Sequence, residues 1–236
     1  MSRAVAIDVA HRTFERHAAE QLAGDSRVVA AFVSGSRGGR AGDAWADIDV
    51  HVLADDAVSH EVLATPAGAE HYGDLVLWVD CSFNAPAGGT MAFARYLVDG
   101  ELVLVDWHVW PARMACLPTG SRLVYQRADC PALAPFDGTT VDRLVTEERR
   151  RVPPWSKQQR IEWETCLVHI ATAFPVRGHD PSRMLELIGA AAVPPDDRRG
   201  QLSVLRHHVE SRRPWLTPRA IDATLGRLAA AESSVS

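Results

Sequence analysis

Apolar residues recur at two different periods along this chain, and the change from one to the other divides it. Over residues 4–22, Val5, Val9, Phe14, Ala18 and Leu22 stand at helical spacing and Gly24-Asp25 closes the stretch, which predicts a helix. Residues 28–33 form an unbroken apolar run of strand length that leads into Ser34-Gly35-Ser36. Residues 37–45 are glycine-rich and polar and read as a loop or a short helix start. From Asp47 to Leu53 polar and apolar residues alternate, the period-2 signature of a strand with one buried face. Two further strands are predicted at 75–79 and 102–110, the second ended by Pro111, which has no N–H for a ladder. Residues 90–97 read as helical, and Asp99-Gly100 is a turn signal.

After about residue 135 the pattern becomes helical. Helices are predicted over 140–151, 156–174, 181–192, 200–213 and 217–232, punctuated by Pro153-Pro154, Pro175, Pro181, Pro194-Pro195 and Pro214. A mixed first half followed by an all-helical second half predicts an α+β chain of two units. Residues 1–135 would form a small mixed or antiparallel sheet flanked by helices, and 136–236 a helical bundle.

Composition narrows the function classes. The chain has 236 residues, 47% hydrophobic and 23% charged, the proportions of an ordinary globular protein. A net charge of −5 and a pI near 6.0 argue against a general nucleic-acid binder, which would be basic. That balance suits a cationic co-substrate directly, and a nucleotide only if cations intervene. Lys157 is the only lysine among 25 basic residues. Cys81, Cys116, Cys130 and Cys166 form no CxxC pair and no Cys/His cluster at zinc spacing, so reduced thiols in a cytoplasmic protein are expected. The first apolar stretch is too short for a signal peptide before Asp8, His11, Arg12 and Glu15, and no apolar run nears the roughly 20 residues of a membrane span.

Candidate chemistry gathers at Asp47 and Asp49. On a strand these two side chains project together while Ile48, Val50 and Val52 pack on the other face. Two neighbouring carboxylates repel by about 4 kcal/mol at an effective dielectric of 20, so either one is protonated or a divalent cation lies between them. Asp106 sits mid-strand in an apolar run and also needs a partner. Gly35 permits close backbone approach to a ligand, and the neighbouring amides with the Ser36 hydroxyl can grip phosphate oxygens; a helix beginning at Ser36 would add its dipole. His51 and His108 fall on the carboxylate faces of their strands, as hydrogen-bonding or packing residues. Trp78, Trp107 and Trp110 read as packing residues, Trp155 and Trp163 as candidates for lining a cleft. No GxxxxGK[ST], GxGxxG, HExxH or GxSxG pattern is present.

Gly35-Ser36, ten intervening residues, Asp47-Ile48-Asp49-Val50 and a later strand aspartate, Asp106, resemble the DNA polymerase beta-type nucleotidyltransferase superfamily. In size and layout the chain is most similar to the small aminoglycoside and lincosamide nucleotidyltransferases. The motif-bearing resemblance covers roughly 28–110; the helical half agrees in character only. It implies that Asp47, Asp49 and Asp106 bind two magnesium ions bridging a nucleoside triphosphate, ATP being the expected one. It further implies that Asp106 either acts as general base on the acceptor hydroxyl or holds the ion that acidifies it. Apart from the resemblance, Glu147 and Glu148 offer an alternative base from the helical half, against which Arg149-Arg150-Arg151 beside them reads as a solvated charged helix. Gly35, Ser36 and Arg37 would hold phosphates, and Lys157 (or Arg160) would reach the triphosphate. The acceptor would be a small hydroxyl-bearing molecule such as an aminoglycoside-like antibiotic, with no membrane or nucleic-acid partner. Two other readings stay open: a minimal-type nucleotidyltransferase modifying a protein, as in toxin–antitoxin systems, and a nucleotide-binding regulatory module without catalysis.

Overall fold

Two strands that lie far apart in sequence, both carrying predicted site residues, run side by side and parallel at the centre of the sheet. The structure is a computed structural model and describes residues 3–38, 43–63, 66–136, 145 and 154–235. Among these, eight strands occur: β1 (Val28–Ser34), β2 (Ile48–Ala54), β3 (Asp74–Asp80), β4 (Thr90–Val98), β5 (Glu101–Pro111), β6 (Cys116–Pro118), β7 (Arg122–Gln126) and β8 (Ala134–Phe136). Six form one sheet in the order β3-β4-β5-β2-β1-β7, and β6 pairs with β8 separately. Only β2–β5 is parallel within the six; β1–β2, β1–β7, β3–β4 and β4–β5 are antiparallel.

The predicted helix over 90–97 is a strand. Asp99 and Gly100 take φ of 52° and 82°, the positive pair that a tight two-residue hairpin turn requires, and Val98 faces Glu101 across it. Met, Ala, Leu and Arg give residues 90–98 a helical composition, but pairing on both sides, with β3 and β5, overrides that weak local preference. The short strands β6, β7 and β8 had no sequence reading. Their residues are mostly half-buried or exposed, so they carry little periodic signal.

Helix α1 (Arg3–Gly24) covers one face of the sheet with Ala10, Phe14, Ala18 and Leu22, packed on Val33, Ile48, Val50, Val52, Tyr96 and Trp107. Its buried stripe is rotated from the predicted one: Ile7, Ala10 and His11 are buried, whereas Val5 and Val9 are 48% and 37% exposed. A short helix, α2 (Pro66–Glu70), follows β2.

The chain from 157 onward is helical: α3 (Lys157–Ala171), α4 (Ala173–Arg177), α5 (Ser182–Leu187), α6 (Arg198–Arg212) and α7 (Pro218–Ser234). A capping box between Ser156 and Gln159 starts α3, satisfying two otherwise orphaned backbone donors. The predicted helix at 140–151, with Glu147 and Glu148, and the junction near 135–140 lie outside the described residues, apart from buried Val145 and the strand end at Phe136. Helices α3 and α7 cover the sheet face opposite α1: Cys166 packs with Leu77 and Val79, and Ala223 with Leu102 and Leu104. The chain is therefore α+β with a mixed six-stranded sheet. Among the described residues no helix is long and apolar enough to cross a membrane.

Candidate active site

The β2–β5 register places Asp49 beside Asp106 and His51 beside His108. Ile48, Val50 and Val52 of β2, with Val105, Trp107 and Val109 of β5, belong to the core under α1, so alternation sends both Asp/His pairs to the opposite face. In-register neighbours on adjacent strands stand about 4.8 Å apart. The two imidazoles stack with ring centroids 4.4 Å apart and planes 5° from parallel. His108 Nε2 lies 3.8 Å from Asp49 Oδ1. Burial, reinforced by His108, holds the His51 pKa well below its ordinary value, so that ring is neutral.

The glycine–serine bend lies against the same carboxylate. Ser34 pairs with Asp49 across the antiparallel β1–β2 ladder, so the chain leaves β1 directly beside it. Gly35 takes φ of +64°, and a Cβ there would stand 2.2 Å from Asp49 Oδ2. Only glycine suits both the backbone angle and the space. Gly35–Arg37 is a single 3₁₀ turn rather than the start of a helix, so the helix dipole considered for Ser36 is not supplied here. Ser36 is exposed. Arg37 turns away: its buried guanidinium donates from Nε to Glu15 Oε1 at 2.8 Å and lies 3.5 Å from Asp8 Oδ1, both on α1.

Asp47 immediately precedes β2, and the helical half fixes the segment that carries it. Asp43 accepts from the Trp45 N–H at 2.8 Å and is itself held by Arg177 Nε of α4. Trp45 is buried among residues of α3, α6 and α7, and its carbonyl accepts from Arg227 Nη2 of α7 at 3.2 Å. Arg227 Nε also donates to His169 O at 3.0 Å and Thr172 Oγ1 at 2.8 Å.

The three carboxylates act on one another. Burial first, then the Asp49 charge, raises the Asp47 pKa above the usual carboxylate range. Asp106 is raised to about 6; burial dominates, the Arg95 guanidinium opposes it, and Asp47 and Asp49 push further up. Arg95 Nη1 donates to Asp106 Oδ1 at 3.0 Å.

This donor set is all carboxylate oxygen, the hard-ligand chemistry that magnesium prefers. Among the described residues no group of three or more His, Cys, Asp or Glu side chains is arranged so that it could hold a metal ion. Magnesium commonly takes one or two carboxylates and completes its shell with substrate phosphates and water, and the mutual repulsion of these three groups is what such a cation would relieve. Asp49 and Asp106, neighbours in register, are carboxylates of the type such a cation takes.

Lys157 begins α3 with its ammonium 3.8 Å from the centre of the Trp215 ring, and among the described residues it forms no ion pair. Arg160 is exposed on the same helix. Trp107 and Trp110 are buried packing residues, as expected. The Trp155 and Trp163 rings lie 5.4 Å apart, tilted by 47°, and Phe83 meets Trp155 at 5.6 Å. A cavity of about 400 Å³ lies between β3, α3 and α7, lined by Trp78, Val79, Asp80, Trp155, Gln159 and Glu162 among others. The carboxylates do not line it. Val79 pairs with Phe93, which pairs with Asp106, so two strand spacings, roughly 10 Å, separate cavity and carboxylate.

Two residues beside the carboxylates had no reading in the sequence. Arg95 was hidden by the helical interpretation of 90–97; as a strand, the same residues would have shown one charge in an otherwise apolar alternation. Arg227 carried no signal at all, because in an arginine-rich chain nothing local distinguishes it. No protein-family model matches the chain, and no curated protein matches it in sequence.

Proposed function

We propose that this protein transfers a nucleoside monophosphate, AMP from ATP being the favoured case, to a hydroxyl of a small molecule, with release of pyrophosphate. The observation that carries this reading is the meeting of Asp49 and Asp106 in register, with the Gly35 turn packed on Asp49. Backbone amides that close to a carboxylate pair offer a phosphate cradle beside a cation-binding edge.

In the reaction, the acceptor oxygen forms a bond to the α-phosphorus, the bond to the β-phosphate oxygen breaks, and the hydroxyl proton passes to Asp106. A carboxyl raised to about 6 is matched to taking a proton near neutral pH. Magnesium ions, when bound by Asp47, Asp49 and Asp106, would neutralise charge on the triphosphate. Gly35 and Ser36 would hold its outer phosphates, with most of the rate gained by positioning and charge complementarity. Lys157 and Arg37 carry less of this reading than they did from sequence, because one is stacked on Trp215 and the other is committed to α1.

The 400 Å³ cavity has room for a small acceptor, which would have to extend roughly 10 Å, two strand spacings, to bring a hydroxyl to Asp106. Its Trp155 ring with Asp80, Glu162 and Glu70 suits a molecule carrying amines and hydroxyls, such as an aminoglycoside-like compound. The decisive assay measures pyrophosphate release from each of the four nucleoside triphosphates, with and without magnesium, across a panel of aminoglycosides, lincosamides and related polyols. Nucleotide binding without turnover on any acceptor would leave a regulatory module instead.

A further inference from the structure

The most unusual side chain near the site is Arg95. It is fully buried (0% exposed) on β4, between the sheet and α3. A single guanidinium nitrogen, Nη1, faces three acceptors: Ala94 O at 2.9 Å, Val105 O at 3.1 Å and Asp106 Oδ1 at 3.0 Å. Its Nε and Nη2 find no oxygen acceptor among the described residues, and the Cys166 thiol of α3 stands against the guanidinium, within hydrogen-bonding reach. Burying a guanidinium whose remaining nitrogens meet at most a weak thiol acceptor is expensive. Phe93 packs beside it, with the guanidinium carbon 5.4 Å from the ring centre. Its one charged partner is Asp106, the carboxylate in register with Asp49.

We propose that Arg95 is a positioning residue that serves as a built-in counter-cation for the Asp47–Asp49–Asp106 cluster. It pins one oxygen of Asp106 against the β4–β5 ladder, which leaves the other oxygen for the site. It also offsets enough charge for the three carboxylates to remain together when no divalent cation is bound. This rests on the reading of the cluster as a metal and nucleotide site. From the same geometry, Arg95 competes electrostatically with an incoming cation, so its removal should tighten metal binding while spoiling the alignment of Asp106.

The test compares wild type with Arg95→Met, Arg95→Lys and the double variant Arg95→Met/Asp106→Asn, at pH 8. Thermal melts are run in EDTA and in magnesium chloride, and magnesium half-saturation is read from those melts and from pyrophosphate release. Arg95→Met should melt well below wild type in EDTA and recover in magnesium far more than wild type does. The double variant should melt above Arg95→Met, because removing the opposing carboxylate removes the uncompensated charge. Arg95→Met should need about tenfold less magnesium than wild type, whereas Arg95→Lys, which keeps the charge but not the guanidinium geometry, should keep the magnesium requirement and the KM for nucleotide and lose about tenfold or more in kcat.

If Arg95→Met is equally unstable with and without magnesium, and Asp106→Asn brings no recovery, the counter-cation role is wrong. Should Arg95→Met fail to fold, recovery of folding by the double variant supports the proposal and continued failure overturns it. Charge coupling in the melts together with a wild type that releases no pyrophosphate on any acceptor would remove the transferase reading and leave the role of Arg95 intact.

Discussion

Asp49 Oδ2 occupies the space that a side chain at position 35 would need: a Cβ on Gly35 would stand 2.2 Å from it. The bend and the carboxylate are thus built for one another, and each limits what the other position can accept. Gly35→Ala adds this clash to the strain of a left-handed backbone, which by itself costs about 1–2 kcal/mol. The variant should fold with a lowered melting temperature and lose at least about 100-fold in turnover, since Asp49 must move to make room. The stability loss should shrink in an Asp49→Ala background, and an undiminished loss there would show that the contact is not the cause.

Asp47→Asn and Asp49→Asn should each abolish pyrophosphate release while the fold survives. Asp47 is held above its ordinary pKa by burial and by Asp49, so ionised Asp47 is an electrostatic burden, and Asp47→Asn should melt at or slightly above the wild-type temperature in EDTA. Near-normal turnover in both variants would rule out the metal site as described.

Acid sensitivity should trace to buried histidines. Burial, with help from Arg37 and Arg227, lowers the His11 pKa to about 3, and its ring nitrogens find no partner among the described residues. Between about pH 6.5 and 3 the unfolded chain holds a proton at this position that the folded chain lacks, so stability falls as pH falls, by about 1.4 kcal/mol per pH unit. His51 and His169 act in the same direction, and Asp106 in the opposite one between about 6 and the ordinary carboxylate range. His11→Leu should therefore narrow the stability gap between pH 7.5 and pH 5.5 urea melts by about 1 kcal/mol. An unchanged gap would show that His11 is not held neutral.

Arg227 joins α7 to the carbonyl of Trp45, two residues before Asp47. Arg227→Met leaves three buried acceptors without this donor and should cost about 2–3 kcal/mol in urea unfolding. Because the same contact steadies the approach to β2, pyrophosphate release should fall more than the stability loss explains at a temperature where the variant is fully folded. Full turnover in the folded variant would separate Arg227 from the placement of Asp47.

How much of this was legible beforehand depends on whether the signal was local. The strands at 28–33, 47–53, 75–79 and 102–110 were readable because periodicity, β-branched residues and turn signals agree there. Val5 and Val9 misplaced the face of α1, since an apolar residue near a helix end does not need burial.

The chain by itself determined the helical second half and the alternation that puts Asp49 and His51 on one face, because each follows from neighbouring residues; that the bend at Gly35 packs on Asp49 and admits no side chain did not. Only the tertiary structure decided that β2 and β5 pair in parallel register, that Arg37 serves α1, that Arg95 meets Asp106, and that Arg227 holds the Trp45 carbonyl ahead of Asp47. These depend on contacts between positions up to 182 residues apart, as Trp45 and Arg227 are. Which distant elements meet is settled by how the buried faces of the whole chain pack together, and a local pattern of residue types holds no record of that.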